Sequence, residues 1–316
     1  MTKRAGIIGA GIAGARCAGL LAEAGWDVDV FDKARGTGGR LSTRRLDTGW
    51  ASLGAPFLTA RRAPFRAQLE AWTREGLLAP LTGGALFGRA NKGWAQAALQ
   101  DHFRFAAEPS CLTRQILGTA RLHASARVVA VQPHAVALED GRTLDAYDRV
   151  IVGVPAPQAV ALLDALPTLR EKLAGVRYRP VWSFLMRWDG GPTTDVIRFD
   201  DHLVQLAVRQ PAGGAGLWAV HSSHEFAETY LDAHEMEAST RAASALLGLL
   251  GLSWPVEVEA SHLWRYARPD NALGESWLED PAHGVMLIGD GIAGAGVEPA
   301  WESGMGAAQA ILASAQ

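Results

Sequence analysis

Three glycines in the run Gly9-Ala10-Gly11-Ile12-Ala13-Gly14 are followed, 18 residues after the last of them, by Asp32. That spacing suits recognition of a dinucleotide. Gly9 permits a tight turn, Gly11 lets backbone N–H groups approach a pyrophosphate, and Gly14 allows a helix to pack closely on a strand. A carboxylate at Asp32 accepts both ribose hydroxyl protons, and it argues against a 2′-phosphate there because like charges repel.

The elements needed to position these residues are also legible. Ala5 to Gly9 is a short apolar run that reads as a buried strand. Ala15 to Ala24 has helical composition with Gly25 as its stop, and Asp27 to Phe31 alternates as a strand ending at Asp32. The helix N-terminus presents unpaired donors and a partial positive charge to the phosphates. Strand, helix and terminal acid together separate this run from a glycine-rich turn without a ligand. FAD and NAD share such a unit, so the choice between them falls to the adjoining segment, Asp32-Lys33-Ala34-Arg35-Gly36-Thr37-Gly38-Gly39-Arg40-Leu41. Gly38 and Gly39 can bring backbone close to a cofactor, and Arg40 offers a bidentate phosphate fork. The segment resembles the second motif of glutathione-reductase-like flavoproteins, in their amine-oxidase branch. The resemblance implies FAD, with contacts at Gly9, Gly11, Ile12, Ala13, Gly14, Asp32, Lys33, Gly38, Gly39, Arg40 and Leu41.

Near the other end, Val285 to Ile288 reads as a strand running into Gly289-Asp290, and Gly291 to Gly296 is glycine-rich. Pro299 fits a first helical position, and Ala300 to Ala313 reads as a helix. This resembles the last FAD motif of the same class. The resemblance implies that Gly289 and Asp290 touch the ribityl–pyrophosphate region, and that Val297, Glu298 and Ala300 head a helix aimed at the flavin N1–O2 edge. A helix N-terminus there suits the negative charge of a reduced flavin. Gly289 to Gly294 superficially repeats Gly9 to Gly14, but no second strand with a terminal acid comes after it.

Between these ends, Arg127 to Val131, Ala135 to Leu138 and Thr143 to Tyr147 read as a meander with Asp140-Gly141 at a turn. Val150 to Pro155 reads as a strand returning to the nucleotide sheet. In the flavoprotein class the first meander strand touches the adenine through its backbone, here near Val129. The expected architecture is α/β: a Rossmann-like FAD-binding domain of the glutathione-reductase-like type and a second, α+β substrate domain on a mostly antiparallel sheet. The FAD domain is expected to be discontinuous, from 1–59, 121–165 and 263–316, with 60–120 and 166–262 forming the substrate domain.

Several blocks together resemble bacterial renalase-like proteins, a branch of the amine-oxidase superfamily. They include Phe31 to Ser42, Gly54-Ala55-Pro56-Phe57 to Arg61, Val154 to Gln158, Pro180-Val181-Trp182, Trp218 to His221, Trp264-Arg265-Tyr266 to Pro269, and Gly289 to Gly304. The resemblance implies an oxidase that returns stray dihydronicotinamide isomers to NAD(P)+. Hydride passes to flavin N5, and dioxygen reoxidises the flavin to give hydrogen peroxide. A dihydropyridine loses hydride without losing a proton, so no general base is needed; planar walls, a hydrogen bond to the carboxamide and a fixed distance suffice. Gly54 and Ala55 are expected along the flavin ring, and Trp182, His221, Trp264 and Tyr266 in the pocket above it. Each of the four has a plainer reading, as core filling or as a satisfied strand residue. The chain departs from the family at Ser52 (usually acidic), at Pro56 and Phe57, at Glu108 to Cys111 and at Pro299, so the cofactor motifs match better than the substrate side.

Composition bounds the alternatives. The 316 residues, 48% hydrophobic and 20% charged, suffice for two domains with sizeable cores. A net charge of -3 gives no basic footprint for nucleic acid and no polybasic membrane signal. Cys17 and Cys111 are too few for a disulfide framework or a metal site, and neither lies near the C-terminal block, so FAD is expected to be noncovalent. Arg16 interrupts the apolar N-terminal stretch that would otherwise pass for a signal peptide, and no run reaches spanning length. The expected setting is cytoplasmic, as a monomer or weak homodimer whose partners are a small-molecule substrate and dioxygen. An amine oxidase and a non-catalytic flavin-binding protein are the competing readings.

Overall fold

The computed structural model describes residues 2–89, 93–190, 192–200, 203–252 and 255–314. The chain divides into two compact units: Met1–Leu41, Ser110–Tyr178 and Arg268–Gln316 form the first, and Ser42–Pro109 with Arg179–Ala267 form the second.

The first unit is built on a six-stranded sheet. Its order is Arg121–His123, Asp27–Phe31, Arg4–Ile8, Arg149–Val152, Val285–Leu287, Leu278–Asp280. The first five strands are parallel and the last is antiparallel. The central strand Arg4–Ile8 is buried at all but its first residue, as a strand covered on both faces must be. Helix Ile12–Glu23 follows the glycine turn, and helix Val297–Ser314 packs directly against it. Their approach is so close that a Cβ on Gly304 would lie 2.1 Å from the Ala13 carbonyl oxygen. Beneath the sheet, Phe31, Tyr147, Val150, Leu163, Leu169 and Val285 belong to one apolar cluster. A small antiparallel sheet of Val128–Gln132, Ala135–Leu138 and Thr143–Leu144 supplies the expected meander. The final helix begins at Val297, earlier than expected, because Pro299 sits within the first turn, where a missing N–H costs nothing.

The second unit centres on a seven-stranded sheet. Its order is Glu257–Pro269, Tyr178–Arg187, Leu217–Ser222, Val204–Arg209, Val196–Asp200, Ala85–Arg89, Gly93–Ala97. Val196–Asp200 and Ala85–Arg89 are parallel; the pairs Tyr178–Arg187 to Leu217–Ser222, Leu217–Ser222 to Val204–Arg209, and Val204–Arg209 to Val196–Asp200 are antiparallel. Alternation along the strands sends side chains to two faces. On one face Trp182, Phe184, Met186, Trp218 and Val220 cluster with Ala238, Ala242 and Leu246 of helix Glu235–Leu250. On the other, Leu185, Leu217 and Ala219 cluster with Ala51 and Leu53, and Val196 and Val208 with Leu81 and Ala85.

This packing moves the expected boundaries. Residues 42–59 fall in the second unit, because the hairpin Thr43–Leu46/Gly49–Ser52 and the segment after it cover the open face of the second sheet. Residues 110–120 and 166–178 fall in the first, where Leu169, Leu173 and Val176 join its core and Thr37 Oγ1 donates to the Ser110 carbonyl at 2.9 Å. Residues 263–267 pack with the second unit, Leu263 lying against the Trp218 cluster. Among the described residues no helix is long and apolar enough to cross a membrane.

Candidate functional site

The glycine turn has a backbone geometry that glycine alone tolerates at Gly9, with φ of 102°. Its N–H donates to the Phe31 carbonyl at 2.8 Å, fixing the turn on the second strand. Gly14 is required for a different reason: a Cβ there would lie 1.9 Å from the Gly9 carbonyl oxygen. Gly11 is required by neither. Its φ of -74° is open to any residue, and a Cβ there would meet no protein atom within 4 Å. Gly11 is also the N-cap of helix Ile12–Glu23, with no side-chain cap and no acid in the first turn. A helix end so arranged keeps its donors and its positive partial charge for an external anion.

Asp32 is locked beside this turn. Its two carboxylate oxygens accept the N–H groups of Ala10 and Ala34, each at 2.8 Å. Each oxygen retains a second lone-pair direction for a ribose hydroxyl. The Gly38 N–H donates to the Ala10 carbonyl at 3.0 Å and forms a parallel bridge with Gly11, so the two motifs lie side by side. Gly39 to Leu41 form a single 3₁₀ turn that buries Leu41, while Lys33 is exposed.

Arg40 does not present an idle fork. Its two terminal nitrogens donate to the two oxygens of Asp290 at 2.5 and 2.8 Å. Asp290 is almost fully buried, and a buried carboxylate requires such a partner. The Tyr178 hydroxyl also donates to Asp290, at 3.0 Å, and the Arg40 guanidinium lies 5.8 Å from the Tyr178 ring centre. Burial disfavours the Arg40 charge, but the adjacent Asp290 more than offsets it and leaves the guanidinium harder to deprotonate than usual. Burial next to Asp290 likewise pushes the Tyr178 phenol up. Tyr178 escaped sequence reasoning because nothing local marks it. Val129 lies at a β-bulge, without a cross-strand partner and 44% exposed. Glu298 and Ala300 are buried at the head of the final helix, and Val297 is half-buried.

In the second unit the predicted substrate residues separate. Trp182 stacks on Phe184 with ring centres 5.8 Å apart and donates its Nε1–H to the Tyr230 carbonyl at 3.1 Å. It fills the helix-covered core. Its strand neighbour Ser183 pairs with His221, so His221 and Trp182 point to opposite faces of the sheet. Trp264 and His221, by contrast, converge on one segment. Trp264 donates its Nε1–H to the Leu53 carbonyl at 3.0 Å, and the His221 ring bonds the Gly54 backbone. Ala55 follows, accepting the Ser52 hydroxyl at 2.6 Å. Tyr266 is half-buried.

Burial pushes the His221 imidazole down to about 4, the bond to Gly54 only partly opposing it. A ring bond that favours the charged form is one in which the ring N–H donates. Nε2 is buried without a partner among the described residues, and a proton on Nδ1, toward Gly54, would leave Nε2 as an acceptor.

Residues 7–68 match the NAD(P)-binding Rossmann-like domain family. Over its whole length the chain is similar to solved structures that share 12–15% sequence identity with it. An oxidoreductase from Methanosarcina mazei matches at 15% identity over 97% of this chain and 100% of that one, with TM-score 0.73. A fatty acid isomerase from P. acnes matches at 12% identity over 98% of each chain, with TM-score 0.75. Putrescine oxidase bound to putrescine matches at 13% identity over 99% of each, with TM-score 0.71. These likenesses establish the shared α/β fold and its Rossmann-like domain.

Proposed function

We propose that this protein is an FAD-dependent oxidase that takes hydride from a small planar donor, a dihydronicotinamide isomer of NAD(P)H, with dioxygen as acceptor and hydrogen peroxide as product. The observation that carries the cofactor half of this reading is Gly11, an N-cap glycine beside Asp32's turn whose Cβ position is open, leaving room for a pyrophosphate to approach the backbone. Gly9, Gly11, Ile12, Ala13 and Gly14 would hold a pyrophosphate by backbone N–H groups. Asp32 would take ribose hydroxyls, and the Val129 bulge would offer backbone to an adenine. Asp290, oriented by Arg40 and Tyr178, would accept a hydroxyl from the linking chain. FAD, when bound there, supplies the hydride acceptor and the route to dioxygen. Neutral His221 would accept a carboxamide N–H at Nε2 without taking a proton from the ring that is oxidised.

The test is anaerobic mixing of the purified protein with dihydronicotinamide isomers and, separately, small amines, following loss of flavin absorbance. Bleaching by the isomers is the expected result. Bleaching by amines alone would replace this reading with that of an amine oxidase, which the likeness to a putrescine-bound oxidase favours. A flavin that no donor bleaches would make the protein a non-catalytic flavin carrier.

A further inference from the structure

The open face of the second unit's sheet carries one row of side chains unlike its neighbours. Ala85, Val196, Val208, Ala219 and Leu185 are successive cross-strand partners, and all are sealed at 2% exposure or less. The next row, two residues along each strand, is Phe87, Arg198, Leu206, His221 and Ser183. Its first four members are half-buried rather than sealed. His221 Nε2 and Ser183 Oγ are both buried without a hydrogen-bond partner, Ser183 completely. Arg198 has no hydrogen bond or ion pair among the described residues; its guanidinium lies 5.9 Å from the Phe57 ring centre. Burial disfavours its charge, and Asp200 partly opposes the effect.

Two buried polar groups without partners among the described residues, His221 Nε2 and Ser183 Oγ, are costly to the folded protein unless something completes them, and the half-buried Arg198 lies in the same row beyond the apolar Leu206. Strands lie about 4.8 Å apart, so Arg198 and His221, two strands apart, are separated by roughly 10 Å, and Ser183 adjoins His221. We infer that this row is a ligand subsite for a planar molecule bearing an anionic group at one end, held by Arg198, and an N–H donor at the other, held by His221 Nε2 with Ser183 Oγ. Leu206 forms the floor beneath the ring, and Phe57 and Phe87 flank the anionic end. A molecule lacking the N–H donor leaves the buried Nε2 and Oγ unmatched, and one lacking the anion forgoes the pairing with Arg198. The subsite lies wholly within the second unit and rests on the proposed role of His221, which it deepens by defining what the ligand carries away from its reacting carbon.

The test is calorimetric titration of the purified full chain, which requires no flavin reduction and so stands or falls apart from the bleaching experiment. The probes are 4-aminobenzoate and 4-aminophenyl phosphate, which carry both ends, and benzoate and aniline, which carry one each. The expected result is that the two-ended probes bind tighter than either one-ended probe, with the ratio between them telling a carboxylate site from a phosphate site. Arg198→Met should weaken the two-ended probes at least about tenfold and leave aniline unchanged, with Arg198→Lys restoring part of the loss. Ser183→Ala, a smaller change in a sealed position, should weaken 4-aminobenzoate and spare benzoate. Two-ended probes that bind no better than one-ended ones overturn the assignment, as does undiminished binding in Arg198→Met or, should that variant misfold, in Ser183→Ala.

Discussion

Arg40 and Asp290, 250 positions apart in the chain, are joined by two parallel hydrogen bonds, and Tyr178 donates a third to the same carboxylate. The glycine-rich segment after the second strand is thereby tied to the segment after the fifth. Asp290 is held in one orientation before any ligand arrives, which lowers the entropy cost of using it.

Asp290→Ala should therefore act twice. It removes the proposed contact to the cofactor's linking chain and the carboxylate that pairs with Arg40. Because Arg40 is about a third exposed, the stability loss should be about 2 kcal/mol, below the range for fully buried pairs. FAD retained after desalting, read from the flavin-to-protein absorbance ratio, should fall further than in His221→Ala. Equal retention in the two variants would contradict the division into cofactor and substrate residues.

The glycines of the first turn make a sharper pair. Gly14→Ala forces a Cβ against the Gly9 carbonyl and should destabilise the fold by several kcal/mol, or about 3 as a working figure. Gly11→Ala meets open space and loses only a favoured N-cap glycine, so without cofactor it should be destabilised by no more than about 1 kcal/mol while FAD retention collapses. A Gly11→Ala protein that keeps its flavin would remove the main support for the cofactor site.

His221 sets a pH dependence. Its folded-state pKa is about 4, below the 6.5 of a free imidazole. Between those values the unfolded chain holds a proton that the folded chain lacks, so stability falls as pH drops from 6.5 and the loss is complete near 4. Its full size is up to roughly 3 kcal/mol. His262 is shifted in the same direction by burial, so a single profile cannot separate them. The parent should lose about 2 kcal/mol more than His221→Asn between pH 7 and 4.5 in urea unfolding. Parallel profiles would show that another group carries the dependence.

The two cysteines should differ in reactivity. Cys17 is sealed inside helix Ile12–Glu23 and burial pushes its thiol up to about 12, whereas Cys111 is exposed. Brief alkylation of the native protein at pH 8 should add one label, found at Cys111 by peptide mass mapping; denatured protein should take two. Native labelling at Cys17 would mean that the first helix opens on that timescale.

The local geometry of the N-terminal turn was largely legible in the amino-acid order, and the packing of the second unit was not. Gly9 to Gly14, Asp32 and the strand Asp27–Phe31 form one continuous stretch whose geometry is local, so spacing alone places them. The partnership of Arg40 with Asp290 was hidden, because Arg40 read as a phosphate fork and Asp290 as a contact to the linking chain, and only the fold shows that each satisfies the other. Trp182 was misplaced for a reason of periodicity. A one-residue offset along Tyr178–Arg187 decides which face a side chain takes, and the apolar run there gives no alternation to read. Arg198 and Ser183 carried no motif at all. Their meaning comes from cross-strand register, which joins four separate stretches of chain.

The contact between helices Ile12–Glu23 and Val297–Ser314 has a consequence for how the protein is made. Translation at about 5–20 residues per second brings the first helix out of the ribosome some tens of seconds before its partner. Throughout that interval Ala13 lacks the helix that closes over it, and the strand Arg149–Val152 lacks its neighbour Val285–Leu287. The second unit's main sheet, by contrast, has most of its strands by Ser222, so it can form while the nucleotide unit is still an open edge. Nascent chains stalled before residue 285 should thus be the ones that chaperones hold and proteases cut within the first forty residues.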